Sequence, residues 1–371
     1  MRLLVVTGLN RSLARAKLVP LLRTAWVRDV TWASTGSDPE VPGVEFVPLT
    51  RTGSAPYRTA ALLLAVLRTA VRRKPDLVMA YNIIPFGIAA YLVSRLLRIP
   101  LGLNVIGGPV EIEGGGYQTE NRVLSRLQRP SMRLERLLIR LLQAADFVTT
   151  TGTHTKAFLA AKGVAADRIF PISSVIDPVA FCPRDQPRRY DLVCISALIA
   201  RKRVDLLLDL VGELRARRPQ IRAAIVGKGD LQPALEAQAR RLGLDDHVDF
   251  LGFRDEVRDV LWASRVFVMT SRHEGLPLSL MESMACGVVP VVGDFGDVTD
   301  LVEDGHNGRL ARVAHPADYP VAILELLEDE AVHARYAARA VASVRAGYTI
   351  PAATAKWDAL YGARLARPTG R

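Results

Sequence analysis

Short apolar runs alternate with longer amphipathic stretches along the whole chain, and this pattern constrains the fold more than any other feature of the sequence. The apolar runs have the length of strands, and the stretches between them place apolar residues at helical spacing. Such alternation predicts parallel α/β units. The predicted strands are Leu3–Thr7, Asp29–Ala33, Leu77–Tyr81, Leu101–Ile106, Phe147–Thr150, Asp191–Ser196, Ile221–Val226, Val248–Leu251, Val266–Met269 and Val288–Val292.

A polar segment with two prolines, residues 181–189, divides the pattern into two halves and is typical of a linker. A chain of 371 residues has room for two domains of roughly 100–200 residues each. We therefore predict an N-terminal domain over 1–182 and a C-terminal domain over 183–350. A terminal helix over 351–371 is a candidate to pack back on the N-terminal domain.

Composition narrows the class of protein. The apolar fraction is 49%, which is ample for packed cores, and no apolar run reaches the roughly 18 residues that a membrane span needs. The first apolar residues are too few for a signal-peptide core. Three widely spaced cysteines give neither a disulfide framework nor a metal-ligand spacing, so we expect a cytoplasmic protein.

The net charge of +11 comes from the first half of the chain. Residues 1–185 hold 24 Lys and Arg against 13 Asp and Glu, whereas residues 186–371 hold 25 of each. This asymmetry predicts that the first half meets something anionic.

Two glutamates, Glu274 and Glu282, flank the start of a helix that the pattern predicts over 278–285. Backbone N–H groups around 276–279 would then face a cleft at the carboxyl ends of parallel strands, where a diphosphate binds readily. The two carboxylates would accept hydrogen bonds from hydroxyls on either side of that diphosphate, as in a sugar nucleotide. From the spacing alone, an ordinary strand–helix turn with a solvent-facing Glu282 is equally consistent.

Three consecutive cations, Arg201, Lys202 and Arg203, stand where the loop after the strand Asp191–Ser196 enters a helix. Cations at this end oppose the helix dipole, so a bound anion would explain them. The alternative is a solvated basic loop.

The segment Glu274-Gly-Leu-Pro-Leu-Ser-Leu-Met-Glu282-Ser-Met-Ala-Cys-Gly resembles the signature of the retaining GT-B glycosyltransferases of family GT4, in which seven residues separate two glutamates. The resemblance implies an α/β protein of the GT-B fold, with two Rossmann-like domains whose parallel sheets face an interdomain cleft. It implies that Glu274 contacts the hexose of a donor sugar nucleotide and that Glu282 contacts the ribose. The neighbouring donor-binding candidates are Gly275, Leu276 and Leu278.

A second family motif is only partly kept. GT4 members usually carry Gly-Arg-Leu, three variable residues and Lys-Gly; here Leu198 and Lys202 match, whereas Ala197 stands in place of the arginine. Lys202 is thus the implied phosphate ligand, and Arg201 or Arg203 is a hypothetical substitute for the missing arginine. The remaining donor-side candidates are Gly227 in a Gly-x-Gly turn, Phe253 in a segment like the family's base-binding strand end, and Gly8 after the first strand.

The resemblance also implies a reaction. A hexose would move from a donor such as a UDP- or GDP-hexose to a saccharide or lipid-linked acceptor, with retention of configuration, in cell-envelope or exopolysaccharide assembly. Lys202, nearby arginines and the helix N-terminus would stabilise the departing diphosphate. The sequence has no Asp-x-Asp motif, and we expect neither a metal nor another cofactor.

The N-terminal half is less typical of the family. Many GT4 enzymes have His-Gly after the strand equivalent to Leu101–Ile106, but here a glycine-rich loop without histidine follows. Glu111 and Glu113 in this loop are candidates for acceptor or donor-sugar contact, and a polar surface loop is the alternative. His154, after another strand end, is a third candidate, with helix capping as its alternative.

Six arginines recur at steps of three and four residues, which is the spacing of one helix face. A basic amphipathic face favours peripheral binding to an anionic membrane at its inner face, and a solvated face on a packed helix is the alternative. Aromatic residues make up only 6% of the chain and none lies among these arginines, so nucleic acid is not an expected partner. The six are Arg122, Arg126, Arg129, Arg133, Arg136 and Arg140.

Two rival functions share some of these features. One is a GT-B sugar-nucleotide epimerase, which needs acid and base groups at the sugar but no acceptor site. The other is a non-catalytic protein that binds an anionic surface, which does not require Glu274, Glu282 and Lys202 to converge.

Overall fold

The structure, a computed structural model, describes residues 1–49, 55–119 and 129–365. The chain divides into two compact units: unit 1 comprises Met1–Val175 and Ile350–Arg371, and unit 2 comprises Ile176–Thr349. The division after Val175 precedes the proline-containing segment at 181–189, which belongs to unit 2.

Unit 1 is built on a seven-stranded parallel sheet with the order β3-β2-β1-β4-β5-β6-β7. Alternate residues of a strand enter different cores: Leu4 and Val6 pack on one face, and Leu3 and Val5 on the other. Because helices cover both faces, the central strands are continuous apolar runs. The strands are β1 (Arg2–Thr7), β2 (Asp29–Ser34), β3 (Val44–Pro48), β4 (Leu77–Tyr81), β5 (Leu101–Val105), β6 (Phe147–Thr150) and β7 (Ile169–Pro171). The helices are α1 (Arg11–Leu22), α2 (Ala55–Arg73), α3 (Ile88–Leu97), α4 (Met132–Gln143) and α5 (Thr153–Ala161).

Unit 2 is built on a six-stranded parallel sheet with the order β10-β9-β8-β11-β12-β13. Helices again cover both faces, and two apolar clusters lie on opposite sides of the sheet. The strands are β8 (Tyr190–Ile195), β9 (Ala223–Val226), β10 (Val248–Phe250), β11 (Ser264–Met269), β12 (Val289–Gly293) and β13 (Arg309–Ala311). The helices are α6 (Val204–Leu214), α7 (Gln232–Arg241), α8 (Arg258–Trp262), α9 (Leu278–Ala285), α10 (Asp318–Glu328) and α11 (Glu330–Gly347).

All ten predicted strands are confirmed, and three further strands were missed. The missed strands, β3, β7 and β13, each lie at the edge of a sheet. Their residues are mostly only partly buried. An edge strand exposed in this way does not need an unbroken apolar run, so its sequence carries a weaker signal.

The last described helix, α12 (Ile350–Arg364), belongs to unit 1. Its buried face carries Trp357 and Tyr361, whose rings stack with centroids 5.4 Å apart. Tyr361 also meets the ring of Phe147 on β6 edge-on, at 6.3 Å between centroids. The Thr354 hydroxyl donates a hydrogen bond to the carbonyl of Pro20 on α1 at 3.2 Å. Helix α12 therefore completes the apolar core to which β1 and α1 also contribute.

We predict that Tyr361→Ala lowers the free energy of unfolding of unit 1 by about 3–5 kcal/mol, because it leaves a cavity between α12 and β6. Denaturant titration followed by fluorescence and circular dichroism measures this loss. Lys356→Ala, at an exposed position of the same helix, is the control and should change stability by less than about 0.5 kcal/mol. Equal effects of the two substitutions would contradict the prediction.

Candidate active site

The loop between β11 and α9 carries the first glutamate of the predicted pair. The predicted helix over 278–285 is confirmed as α9, and Pro277 precedes it with an extended backbone (φ −68°, ψ 138°). Gly287 follows the helix with a φ of +75°, a conformation that favours glycine. The first turn of α9 leaves backbone N–H groups that no helical carbonyl can satisfy.

Glu274 lies in this loop and is only 8% exposed. Its carboxylate Oε1 lies 2.5 Å from Lys202 Nζ, and its Oε2 lies 3.0 Å from Arg201 Nη1. Both cationic side chains are themselves largely buried. The carboxylate is thus held between two cations where little water screens them, so their charges interact more strongly than at a surface.

Backbone hydrogen bonds fix the basic loop beside the loop of Glu274. The N–H of Arg272 donates to the carbonyl of Arg201 at 3.0 Å, and the Thr270 hydroxyl donates to the carbonyl of Lys202 at 3.2 Å. Arg203 has a φ of +51° and pairs with Asp205 at 3.0 Å. Of the two proposed substitutes for the family arginine, Arg201 therefore contacts Glu274, whereas Arg203 turns to Asp205.

The charge balance of this cluster favours an anionic ligand. Burial by itself raises the pKa of Glu274, but the charges and hydrogen bonds of Lys202 and Arg201 together hold that pKa below its ordinary value. Glu274 is therefore ionised at neutral pH. The side chains of Glu274, Lys202 and Arg201 together therefore carry one net positive charge beside the start of α9.

Glu282 lies just over one turn into α9 and is partly buried. Its carboxylate has no hydrogen-bond or ion-pair partner within the described ranges. Burial, together with the charge of Glu256, raises the pKa of Glu282 to about 7. A buried carboxyl group without a partner has unused hydrogen-bonding capacity that a bound hydroxyl could satisfy.

Two glycines let the turn after β9 approach the loop after β8. A Cβ on Gly227 would lie 1.8 Å from the carbonyl oxygen of Ser196, and one on Gly229 would lie 2.3 Å from that of Leu198. The N–H of Leu198 donates to the carbonyl of Lys228 at 3.0 Å, which ties the two loops together. Only glycine permits this approach, and a ligand role for Gly227 stays a prediction.

Phe253, the base-binding candidate, follows β10 and is 54% exposed. The Lys228 ammonium lies 4.6 Å from its ring centroid, within the range of a cation–π contact. The turn after β9 and the segment after β10 therefore lie side by side at the carboxyl edge of the sheet. Contact between Phe253 and a base stays a prediction.

Sequence reasoning missed two residues that position Glu274. Thr270 anchors the basic loop through its hydroxyl, as described above. Gly296 has a φ of +56°, and a Cβ there would lie 2.2 Å from the carbonyl oxygen of Glu274. No spacing in the sequence marks either residue, because both act through loops brought close only by the fold.

The acceptor-side candidates lie in unit 1. The Glu111 carboxylate turns back on its own loop, where it accepts hydrogen bonds from the N–H of Ile106 at 2.9 Å and from that of Gly107. Glu113 and His154 are exposed. Glu111 therefore has a structural role that the sequence did not reveal, and acceptor contact by any of the three stays a prediction.

Gly8, the donor-side candidate of unit 1, follows β1 directly. A Cβ there would lie 2.8 Å from the ring of Phe86, so the close packing of that ring already accounts for the glycine.

The arginine series is only partly described. Arg122 and Arg126 lie outside the described residues, and Arg129 is exposed just before α4. Arg133, Arg136 and Arg140 are exposed along α4, whose opposite face is buried. In the described ranges, no helix combines the length and the apolarity needed to cross a bilayer.

Solved structures identify the architecture. The structure of HepE from Anabaena in complex with UDP-glucose matches with a TM-score of 0.80 at 20% identity, covering 98% of this chain and all of that one (100%). Together with the two α/β units and their parallel sheets, this likeness shows the GT-B fold, as predicted.

Two family models match the chain on either side of residue 180. The model described as a glycosyl transferase 4-like domain matches residues 6–174, and the model described as glycosyl transferases group 1 matches residues 184–342. The chain belongs to the group 1 glycosyl transferases.

Curated relatives carry related names. The GDP-mannose-dependent α-(1-6)-phosphatidylinositol monomannoside mannosyltransferase of Mycolicibacterium smegmatis is 32% identical over 205 residues, which is 50% of this chain and 54% of that protein. The N-acetyl-α-D-glucosaminyl L-malate synthase of Bacillus anthracis is 24% identical over 314 residues, 81% of this chain and 78% of that protein. Several curated relatives are matched over about half of their own length or less.

The raised pKa of Glu282 yields a stability prediction. A carboxyl group whose pKa is higher in the folded than in the unfolded state costs nothing at low pH, and it destabilises the fold as pH rises from the ordinary value of 4.5 through about 7. Glu282→Gln removes this cost. We expect the variant to match the wild type near pH 3.5, below the ordinary value, and to exceed its free energy of unfolding by about 1–3 kcal/mol near pH 8.

Denaturant titrations at the two pH values measure this difference. Glu303→Gln, which removes an exposed carboxylate of unit 2, is the matched control and should leave the pH dependence unchanged. A pH-independent difference between Glu282→Gln and the wild type would show that the Glu282 carboxyl group titrates normally.

Proposed function

We propose that this protein is a retaining glycosyltransferase that moves a hexose from a nucleoside-diphosphate sugar to a saccharide or lipid-linked acceptor. The observation that carries the proposal is the convergence of Lys202 and Arg201 on Glu274, beside the start of α9. The family to which the chain belongs supports it.

The cations and the helix form a site for the donor diphosphate. Lys202 and Arg201 supply charge-assisted hydrogen bonds, and the first turn of α9 supplies backbone N–H groups and the positive end of the helix dipole. Negative charge develops on the leaving nucleoside diphosphate as the bond to the sugar breaks. Donors already in place stabilise that charge without reorganising, which lowers the barrier.

Glu274 has two roles in this proposal. Without donor, it neutralises part of the charge of Lys202 and Arg201 and keeps both side chains in place. When the diphosphate pairs with these cations, the carboxylate becomes free to accept hydrogen bonds from the hydroxyls of the donor hexose. Glu282, which has no described partner, accepts hydrogen bonds from the ribose hydroxyls.

Arg201, rather than Arg203, replaces the family arginine that is missing at Ala197. Its guanidinium already lies 3.0 Å from Glu274, next to Lys202. Arg203 forms an ion pair with Asp205 in the first turn of α6, and its backbone is left-handed where that helix begins. This chain thus has two cations, as the family motif does, but one of them stands four positions later, at Arg201 instead of at residue 197.

The transfer step balances without a covalent enzyme intermediate. The bond between the anomeric carbon and the diphosphate oxygen breaks, and the acceptor hydroxyl forms its new bond on the same face. The acceptor proton passes to the departing phosphate oxygen. Lys202 and Arg201 carry the charge of the leaving group, so we assign no nucleophilic role to Glu274 and no cofactor to the reaction.

The acceptor and pathway are inferred from the relatives. The names of the mycobacterial mannosyltransferase and of the lipopolysaccharide core glycosyltransferase of Rhizobium meliloti support an envelope glycoconjugate as the product. A lipid-linked acceptor would place the protein in the cytoplasm, at the inner face of the membrane.

Glu274→Gln should lower kcat by about 100-fold or more, because it removes the carboxylate that positions the donor hexose. Nucleoside diphosphate binding should change by less than about threefold, since Lys202 and Arg201 remain. Calorimetry with UDP and GDP, and assays of diphosphate release with UDP-glucose and GDP-mannose, measure the two effects. Full activity of the variant would refute the assignment.

Arg201→Gln and Arg203→Gln form a matched pair at neighbouring positions. Arg201→Gln should weaken nucleoside diphosphate binding about tenfold and lower kcat as well, because one leaving-group cation is lost. Arg203→Gln should change both quantities by less than about threefold, because its partner is Asp205. Equal losses in the two variants, or a larger loss for Arg203→Gln, would reverse the assignment.

The rival functions predict different product patterns. Release of nucleoside diphosphate only after an acceptor is added supports transfer. Interconversion of sugar nucleotides without release would indicate the epimerase, and binding without either reaction would indicate a non-catalytic protein. Screening sugar nucleotides for thermal stabilisation identifies the donor first, since a ligand raises apparent stability by mass action.

We further propose that α4 rests on an anionic membrane. Arg133, Arg136 and Arg140 are exposed on it, and the apolar side chains of Met132 and Leu137 are 57% and 56% exposed among them. Cations attract anionic headgroups, and exposed apolar side chains enter the boundary between headgroups and acyl chains.

Changing these three arginines together to Glu should abolish co-sedimentation with vesicles of phosphatidylcholine and phosphatidylglycerol. The control changes Arg335, Arg339 and Arg345 on α11 to Glu, which alters the net charge equally and should preserve most of the binding. If the two triple variants bind alike, α4 is an ordinary solvated helix.

A further inference from the structure

A cavity of about 430 Å³ opens at the amino-terminal edge of the sheet of unit 2, where β8, β9 and β11 begin. The site proposed for the donor lies at the carboxyl ends of the same strands. Since β8 has six residues, the two edges are separated by roughly 20 Å. The cavity is therefore distinct from the donor site, and its volume is in the range of small-molecule pockets, roughly 300–1,000 Å³.

Six arginines line this cavity, with Asp191 as the one carboxylate among the lining residues. They come from three separate stretches: the residues just before β8, the connection from α6 to β9, and the start of β11. The six are Arg188, Arg189, Arg217, Arg218, Arg222 and Arg265. We refer to this set as the arginine pocket.

Carboxylates around the arginine pocket neutralise only part of this charge. Asp249 is shared by Arg189 and Arg222, at 3.3 and 3.1 Å, and it also accepts a hydrogen bond from the Tyr190 hydroxyl. One carboxylate thus serves three donors. The remaining ion pairs join Arg218 to Asp191, Arg217 to Glu328 and Arg265 to Glu330. Within the described ranges, the ion pairs of the pocket thus set six arginines against four carboxylates.

The charge of Arg188 is offset only in part by the carboxylates of Glu330 and Asp185, because its pKa remains lowered overall. Its guanidinium donates to the carbonyls of Trp262 and Ser264, at 3.0 and 2.6 Å, and it forms no ion pair with a described residue. Burial and the nearby charge of Arg265 lower the pKa of Arg188. Like charges held this close repel each other, and a bound anion would offset the repulsion.

Two guanidinium N–H groups in the pocket also lack acceptors. The Nε atoms of Arg222 and Arg265 are buried and have no hydrogen-bond partner among the described residues. A buried unpaired donor costs free energy, so the local hydrogen-bonding demand is unmet in the free protein. A small shift of either side chain toward a ligand would satisfy it.

We propose that the arginine pocket binds a phosphate-bearing anion, at a site separate from the donor site. Guanidinium groups recognise phosphate oxygens through paired, planar hydrogen bonds, and several can surround one diphosphate or phosphomonoester. The ligand is a free phosphorylated metabolite or the headgroup of an anionic lipid, which share this chemistry. The proposal does not depend on the transfer reaction.

Calorimetric titration with inorganic pyrophosphate tests the proposal. Lys202→Gln weakens the donor site, so pyrophosphate binding that survives in this variant reports on the arginine pocket. Adding Arg189→Gln and Arg222→Gln should weaken that remaining binding about tenfold or more, because two charge-assisted interactions are lost. Arg240→Gln and Arg345→Gln, both exposed in unit 2 and outside the pocket, match this charge change and should leave binding intact.

The proposal is overturned if Lys202→Gln removes all pyrophosphate binding, or if the pocket and control variants bind alike. Should Arg222→Gln impair folding, Arg189→Gln with Arg217→Gln provides a second test, since both side chains are more than 60% exposed. The pocket substitutions, made in a protein with Lys202 intact, should also retain nucleoside diphosphate binding at the donor site. A failure there would concern the proposed function and not the pocket.

Vesicle binding separates the two sources of the anion. If the pocket variants lose co-sedimentation with vesicles of phosphatidylcholine and phosphatidic acid, while binding to pure phosphatidylcholine stays the same, the ligand is a lipid headgroup. If pyrophosphate binding falls while vesicle binding is unchanged, the ligand is a soluble phosphorylated compound. Both results support the pocket.

Discussion

The contact of Glu274 with Lys202 and Arg201 holds together two loops that lie about seventy residues apart in the chain. A buried ion pair is costly to break, because removing one partner leaves the other charge uncompensated. Here one carboxylate faces two cations, so the three side chains link both loops and together carry net positive charge. The Thr270 hydroxyl and the close approach of Gly296 to the Glu274 carbonyl position the two loops of this cluster.

The parallel sheet of unit 2 separates two kinds of basic site. At the carboxyl edge, Lys202 and Arg201 lie beside Glu274 and the start of α9. A small group of cations of this kind suits a substrate that binds, reacts and dissociates. At the amino-terminal edge, the arginine pocket gathers six arginines, which suits binding without chemistry. The first half of the chain carries the excess of charge in the sequence, yet the second half concentrates its own arginines locally.

The buried strands and the position of α9 could be predicted from the sequence. Continuous apolar runs mark the strands, and Pro277 and Gly287 mark the two ends of the helix. The edge strands β3, β7 and β13 could not, since partial exposure removes the apolar run. The Glu274–Glu282 segment was recognisable by itself, but whether Arg201 or Arg203 joins Lys202 depends on the left-handed backbone at Arg203. Likewise, Glu111 accepts hydrogen bonds from its own loop, and the arginine pocket gathers residues from three stretches. Neither could be predicted, because no regular spacing in the sequence links these positions.

Unit 1 is discontinuous in the chain, since α12 returns to it after the whole of unit 2. During synthesis, residues 1–175 leave the ribosome without the helix that buries Trp357 and Tyr361 against their sheet. Unit 2 is continuous, so it can reach its native state before unit 1 has its last helix. Unit 2 can therefore fold before unit 1, whose core stays incomplete until α12 has been synthesised.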